Sequence, residues 1–311
     1  MQDNHIYDLT EEEYKECLAM AEIAIFGRCE KSEKPKSIFA VAQPGAGKTA
    51  LRAYLVNEAQ NAGTFAKFIE FNPDEVAIHH KHYREIMRDF PDDAFKILKR
   101  FTYNALDYYL RQRAVELRCN IMQEGTFATT DGYLGIIDFQ KNGGKLQGKD
   151  IKGDYDVDIN ILAVNKYESL LSSFEREQYF VENGLPPRAV TIENHDYSYN
   201  KMLETVDIVE KRKLYDQMRV FRRGYIKEKP ELVYIAGDNR FESVKAAILY
   251  ERKIQEDELL KNPSLYINRI EILKQKLKEN KNESLENRLG TLEKIFNDRL
   301  NEYREEENVL L

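Results

Sequence analysis

Five short apolar runs punctuate the chain: "SIFAVAQ" (37–43), "AKFIEF" (66–71), "NIMQEG" (120–125), "DINILAV" (158–164) and "LVYIAG" (232–237). Each is rich in Ile, Val, Phe or Ala without a long polar interruption, and reads as a short buried strand. Longer helical stretches separate them. "KTALRAYLVNEAQNA" follows the first, "DDAFKILKRFTYNALDYYLRQRAVELR" the second, and "KYESLLSSFEREQYFVEN" and "NHDYSYNKMLETVDIVEKRKLYDQMR" the fourth. Strands alternating with helices at this spacing predict an α/β fold, with an about five-stranded parallel sheet flanked by helices. The crossovers should be right-handed. In such sheets ligands sit outside the carboxyl ends of the strands, so functional residues are expected there.

Two regions depart from this alternation. Residues 1–34 hold one amphipathic segment, "LTEEEYKECLAMAEIAIFG", in which Thr10 and Glu13 have capping-box spacing. Near the other end, Ile270, Leu273 and Leu277 recur at steps of three and four. "KENKNES" breaks that pattern, and Leu285, Leu289, Leu292, Phe296 and Tyr303 resume it. This predicts a helical hairpin with one apolar stripe per helix, packed on the body or presented to a partner. The expected division is an N-terminal helical segment (1–34), an α/β domain (35–258) and a C-terminal helical hairpin (259–311).

Composition narrows the classes. With 311 residues, 42% hydrophobic and 32% charged, the chain can bury a substantial core beneath a charged surface. Its net charge of −7 argues against a nucleic-acid partner. No apolar run approaches the roughly 20 residues that span a bilayer, and the acidic start "MQDNHIYDLTEEEYKE" lacks the features of a secretory signal. A cytoplasmic protein without a membrane or nucleic-acid partner is expected. Cys17, Cys29 and Cys119 are scattered, with no C-x-x-C spacing, and suggest neither a zinc site nor a disulfide framework. The cluster "HHKH" (His79, His80, His82) reads as surface residues rather than metal ligands.

The first strand runs into "VAQPGAGKT" (41–49), the latter part of the phosphate-gripping pattern G-x-x-x-x-G-K-S/T. A polyphosphate needs backbone N–H donors with little side-chain bulk in the way, and a helix N-terminus adds its positive dipole end. A lysine then bridges the terminal phosphates, and the following hydroxyl holds magnesium. Gly45, Ala46, Gly47, Lys48, Thr49 and Ala50 are thus the expected nucleotide-binding set, with Thr49 as the metal ligand. Ala42 stands where the pattern has its first glycine, which is tolerable if the backbone there needs no positive φ.

Further candidates fall at the next strand ends. Asp74 follows Pro73 at the end of the second strand, where it could take a proton from a hydroxyl nucleophile or simply cap a helix. Glu124 ends the third strand and either faces solvent or has a partner; Gly125 leaves room for a ligand and Thr126 offers a hydroxyl. Thr129, Thr130 and Asp131 can open the next helix. Arg176 lies in a helix between Glu175 and Glu177, where an exposed ion pair is the ordinary reading. Arg188 follows "GLPP" on a loop after the fourth strand, from which an arginine can stabilise a phosphoryl group in flight.

Taken together, "AQPGAGKTALR", "NPDEV", "EGT…TTD", the helical "ER" and the "PPRAVT" loop resemble the zeta toxin family over residues 36–240, in the same order and at similar spacing. The resemblance implies a P-loop kinase fold and ATP-dependent phosphorylation of a sugar hydroxyl, in many members the 3′-hydroxyl of UDP-N-acetylglucosamine. It further implies a bacterial toxin with an antitoxin partner. By position, Lys48 would bind the ATP phosphates and Thr49 would hold Mg2+. Asp74 would be the general base and would also touch the acceptor; Glu124 and Thr126 would hold it. Arg176 and Arg188 would stabilise the transferring phosphate. Two departures stand out: Ala42 at the first loop glycine, and Ala128 where the family often has an arginine after "EGT". The second bears on which sugar nucleotide is used. Other readings of the same loop are a nucleotide-binding module acting through its hairpin, and a kinase for a nucleoside, a dinucleotide or a nucleic-acid end.

Overall fold

The structure, a computed structural model, describes residues 7–61, 67–90, 93–185, 189–224, 229–280 and 282–309. Helix α1 (Glu11–Phe26) starts at a capping box, Thr10 and Glu13 each bonding the other's backbone N–H. Strand β1 (Lys36–Val41) runs through the phosphate loop into α2 (Lys48–Asn61), and β2 (Phe68–Phe71) follows. Short helices α3 (Pro73–Ala77) and α4 (Tyr83–Asp89) lead to a long interrupted helix. It consists of α5 (Ala94–Ala105), a π-helical turn at Leu106–Leu110, and α6 (Arg111–Leu117). Then come β3 (Asn120–Gly125), α7 (Thr130–Asn142) and a small hairpin of β4 (Gly144–Leu146) and β5 (Lys149–Ile151). The hairpin turns at Gln147 and Gly148, both with φ near +50° to +80°, the conformation tight two-residue turns require. Next are β6 (Asp156–Ala163), α8 (Lys166–Glu182), α9 (Ile192–Lys211), β7 (Gln217–Arg222) and β8 (Glu231–Ile235). Three helices complete the chain: α10 (Val244–Lys261), α11 (Ser264–Asn280) and α12 (Glu283–Val309).

The main sheet has the order β2-β3-β1-β6-β7-β8. Its first five strands are parallel, and β8 pairs antiparallel with β7 at the edge. Five parallel strands match the expected number, but the fifth is β7 rather than the run at 232–237, which forms the antiparallel edge. "QMRVFR" escapes a hydrophobicity reading because Arg219 sits in the strand; it is buried against Asn160, with Glu58 at 2.8 Å. Along β1 the side chains alternate between faces. Ile38, Ala40 and Ala42 pack with Leu51 and Leu55 of α2, while Phe39 and Val41 join the larger core with α7, α9 and α10.

Strand order reverses around β1, which places its carboxyl end, and the loop after it, where open α/β sheets bind ligands. A separate core forms behind α8. Leu170, Leu171 and Phe174 meet Ile270, Leu273 and Leu277 of α11 and Leu285, Leu289, Leu292, Phe296 and Tyr303 of α12. The apolar stripes of the C-terminal hairpin are therefore buried on the body. Each fully buried Leu contributes on the order of 2 kcal/mol. Helix α10 continues through residue 258, where the sequence suggested a boundary.

The cysteine reading is corrected. Cys29 and Cys119 form a disulfide, with Cα atoms 5.5 Å apart and a sequence separation of 90. A bridge between Lys31 and Cys119 brings the segment after α1 to the start of β3, an adjacency that sequence spacing does not encode. Cys17 is a buried free thiol. The histidine cluster is not all surface either. His80 is buried against Phe101, and burial pushes its pKa down to about 4. Among the described residues no His, Cys, Asp or Glu group could hold a metal ion by itself, and no helix is long and apolar enough to cross a membrane.

Candidate active site

The phosphate loop is shaped by two left-handed glycines, Gly45 at φ 73° and Gly47 at φ 98°. They differ in what surrounds them. A Cβ on Gly45 would lie 1.8 Å from the carbonyl oxygen of Ser169 in α8, so only glycine fits. A Cβ on Gly47 would meet nothing nearer than 3.7 Å, ordinary van der Waals contact with the Arg223 and Leu162 side chains, so there the positive φ rather than crowding favours glycine. Ala42 is fully buried, is not among the residues with positive φ, and extends the β1–β3 ladder by donating to Gly125 O at 3.1 Å. A side chain is therefore admitted where the usual pattern has glycine. Ala46 turns its methyl into the core beside Leu51.

Behind the loop is a buried polar frame. Gln43 Nε2 donates to Val164 O (2.8 Å) and Ser169 Oγ (3.1 Å), and Arg252 Nη2 donates to Gln43 Oε1 (3.2 Å). Arg223, at the end of β7, donates to Gly45 O (3.3 Å) and Ser172 Oγ (3.0 Å), tying the loop to α8.

Lys48 opens α2. Its ammonium donates to the carbonyls of Ala42 (2.9 Å) and Gln43 (3.1 Å). Burial pushes its pKa down to about 8, with Glu124 opposing and Arg176 adding to the shift. Lys48 and Thr49 line a cleft of about 360 Å³ together with Glu124, Thr126, Arg111, Tyr133 and Arg176. Ala50 lies outside it, on the exposed side of α2 beside Tyr54. The turn of left-handed glycines, the lysine and the hydroxyl of the exposed Thr49 are a donor set suited to a polyphosphate with its divalent cation.

Across the cleft, Glu124 is held by Arg52 Nε at 3.3 Å, and the same arginine pairs with Glu70 at 2.7 Å. Glu124 therefore has a partner, the second of the two readings open from sequence. Thr126 Oγ1 accepts from Ala128 N–H at 3.4 Å across Phe127, which is buried with φ 53°. This uncommon backbone is locked by Thr205 Oγ1 donating to Phe127 O at 2.7 Å, and it fixes how Thr126 faces the cleft.

The room expected above Gly125 is taken: a Cβ there would meet the Tyr133 hydroxyl at 2.4 Å. The tyrosine ring lines the cleft instead. Thr129 stands at the N-cap of α7, but its side chain makes no capping bond. Arg111, at the end of the π turn, is 4% exposed and has its guanidinium 5.8 Å from the centre of the Tyr133 ring. Sequence reading passed over Arg111, Tyr133 and Arg223. No motif marks them, and a π turn, which tends to occur at functional sites, leaves no periodic signature.

Arg176 lines the cleft from α8. Its two acidic neighbours are engaged by other arginines. Glu175 is taken by Arg269 of α11, and Glu177 by Arg288 of α12. Asp74 is the second residue of α3, next to Pro73, which lines the cleft; its side chain lies outside the described residues. Arg188 also lies outside them, while Ala189 and Val190 just beyond it line the cleft. Lys48, Thr49, Glu124, Thr126 and Arg176 are thus brought to one cleft by elements far apart in sequence.

Comparison with known proteins follows the same outline. The zeta toxin family model matches residues 23–229. "Toxin PezT" of Streptococcus pneumoniae serotype 4 is 25% identical over 219 residues, covering 70% of this chain and 80% of that protein. "Toxin zeta" of Streptococcus agalactiae is 24% identical over 224 residues, 72% of each. Among solved structures, a chain from the PezAT chromosomal toxin–antitoxin system of the human pathogen Streptococcus pneumoniae matches with a TM-score of 0.66 at 20% identity. That match covers 88% of this chain and 98% of the other, a likeness of fold.

Proposed function

Because this chain belongs to the zeta toxin family, we propose that it is an ATP-dependent kinase that phosphorylates a sugar hydroxyl of a UDP-sugar, UDP-N-acetylglucosamine or a close relative. The observation that carries the reading is the shared cleft: the phosphate-loop lysine and threonine, an acid, a hydroxyl and an arginine converge on one space at the strand ends. The magnesium ion held at Thr49 would supply charge neutralisation between the terminal phosphates.

Lys48 holds the phosphates of ATP through its ammonium, leaving the two loop carbonyls it now contacts. Asp74 takes the proton of the acceptor hydroxyl as that oxygen attacks the terminal phosphorus in line, and the bond from that phosphorus to the β–γ bridging oxygen breaks to release ADP. Arg176, with Arg188 from its loop, balances the charge on the phosphoryl group in flight. No covalent enzyme intermediate is needed, since positioning and charge stabilisation suffice.

Glu124 and Thr126 hold the sugar end of the acceptor. Arg111 supports an acceptor that carries its own phosphates: a buried cation on the acceptor wall compensates for Ala128, where the family often has an arginine. Relatives carrying the name toxin, and the toxin–antitoxin origin of the matching structure, support a toxin restrained by an antitoxin protein. Asp74→Asn tests the mechanism: ATP binding should persist while turnover of UDP-N-acetylglucosamine is lost. Turnover at the parent rate would remove Asp74 as the base.

A further inference from the structure

The C-terminal hairpin lies beyond residue 229, where the family match ends. It nonetheless reaches the residues on either side of Arg176. On α11, Arg269 forks onto Glu175 (Nε–Oε1 2.9 Å, Nη2–Oε2 2.7 Å) and also donates to Glu168 (2.7 Å) and Ser172 (3.2 Å). On α12, Arg288 forks onto Glu177 (Nη1–Oε2 2.9 Å, Nη2–Oε1 2.6 Å). Its Nη1 also donates to Val190 O at 2.9 Å, and its guanidinium lies 5.3 Å from the centre of the Phe174 ring.

The Glu177 side chain is 3% exposed and that of Arg288 15%. A two-point fork onto a buried carboxylate fixes angle as well as distance. Burying such a pair is a poor way to gain stability, because desolvation offsets most of the attraction. The apolar contacts of α8 with α11 and α12 already hold the helix against the hairpin. What the fork adds is a link between two separate segments that line the cleft. Glu177 adjoins Arg176 in α8, and Val190 lies in the segment before α9.

We propose that Arg288 is a positioning residue: by gripping Glu177 and Val190 O together, it sets Arg176 relative to the cleft-lining segment at Val190 in the register that phosphoryl transfer requires. The proposal rests on the kinase reading above. Arg288 is not among the residues that line the cleft, so it acts through the geometry of α8 and the segment at Val190.

The test replaces both partners, Glu177→Met with Arg288→Met, so that no buried charge is left unpaired, and compares this variant with Arg288→Lys and the parent. Hydrogen exchange at residues 189–191 should be faster in the double variant while α12 keeps its protection. With UDP-N-acetylglucosamine as acceptor, kcat should fall roughly 10- to 100-fold, the scale of an ångström misplacement, with KM for ATP held within about twofold of the parent. Arg288→Lys, a single-point donor, should not restore kcat. The proposal is overturned if residues 189–191 exchange as in the parent, or if the double variant turns over at the parent rate. If the parent itself phosphorylates no acceptor, the kinase reading fails, and the exchange measurement still decides whether Arg288 joins α8 to the segment at Val190.

Discussion

Gly45 offers the sharpest test of how the phosphate loop is built. In Gly45→Ala, the new methyl would start 1.8 Å from Ser169 O, whereas side-chain carbons essentially never come within 3.0 Å of another heavy atom. Loop and α8 must therefore separate by about 1.2 Å, the difference between those distances. The obstacle is backbone, so no rotamer relieves it. Forcing an extra methyl into packed surroundings costs about 1–3 kcal/mol, and a side chain at a left-handed φ about 1–2 more. At about 2–4 °C per kcal/mol, Tm should fall by roughly 4–20 °C.

Because α8 also carries Arg176, the same displacement moves the arginine relative to Lys48. Misplacement by an ångström costs on the order of 100-fold in rate. Gly47→Ala is the control: it has a comparable positive φ but nothing within 3.7 Å, so only the conformational cost applies. Thermal unfolding of both variants, with steady-state turnover, checks the reasoning. If Gly45→Ala unfolds no lower than Gly47→Ala and turns over at the parent rate, the contact between loop and α8 does not exist as described.

Three further outcomes follow from the cleft. Burial lowers the pKa of Lys48 to about 8, below its unfolded value near 10.5. Between those values the unfolded chain binds more protons, so the contribution of this group to stability rises with pH across that window. Nucleotide binding has the opposite dependence: bound phosphates favour the ammonium, so affinity should fall above pH 8 with uptake of up to one proton. Calorimetry in two buffers of different ionisation heat reads that proton. Arg111→Met should raise the KM for a UDP-sugar about tenfold or more, the loss of one charge-assisted bond, and leave ATP affinity unchanged; a selective loss of ATP affinity would place Arg111 on the wrong side of the cleft.

The parts of this fold legible in the sequence are those with a local signature. The strand-to-helix turn at 41–49 carries its glycines and lysine in one stretch, and the stripe from Ile270 to Tyr303 repeats at helical spacing. Both are found as expected. What stayed hidden depends on contacts between distant segments. β7 carries a buried arginine whose partners, Asn160 and Glu58, are contributed by other elements. Cys29 and Cys119 meet only because the chain after α1 returns to the start of β3. Glycine at 125 suggested room for a ligand, but Tyr133, eight residues later, fills it. Glu175 and Glu177 looked like partners for Arg176 because they adjoin it; in the fold each points to an arginine about a hundred residues away.

The central claim is phosphoryl transfer from ATP to a UDP-sugar. The most direct measurement is to incubate the full chain with Mg-ATP and, separately, UDP-N-acetylglucosamine, other UDP-sugars, nucleosides and dinucleotides, then read the products by mass, with Lys48→Ala alongside. A product one phosphoryl group heavier than a UDP-sugar, formed by the parent and not by Lys48→Ala, is the expected result. Phosphorylation confined to nucleosides or dinucleotides, or no phosphorylated product from any acceptor, would contradict it.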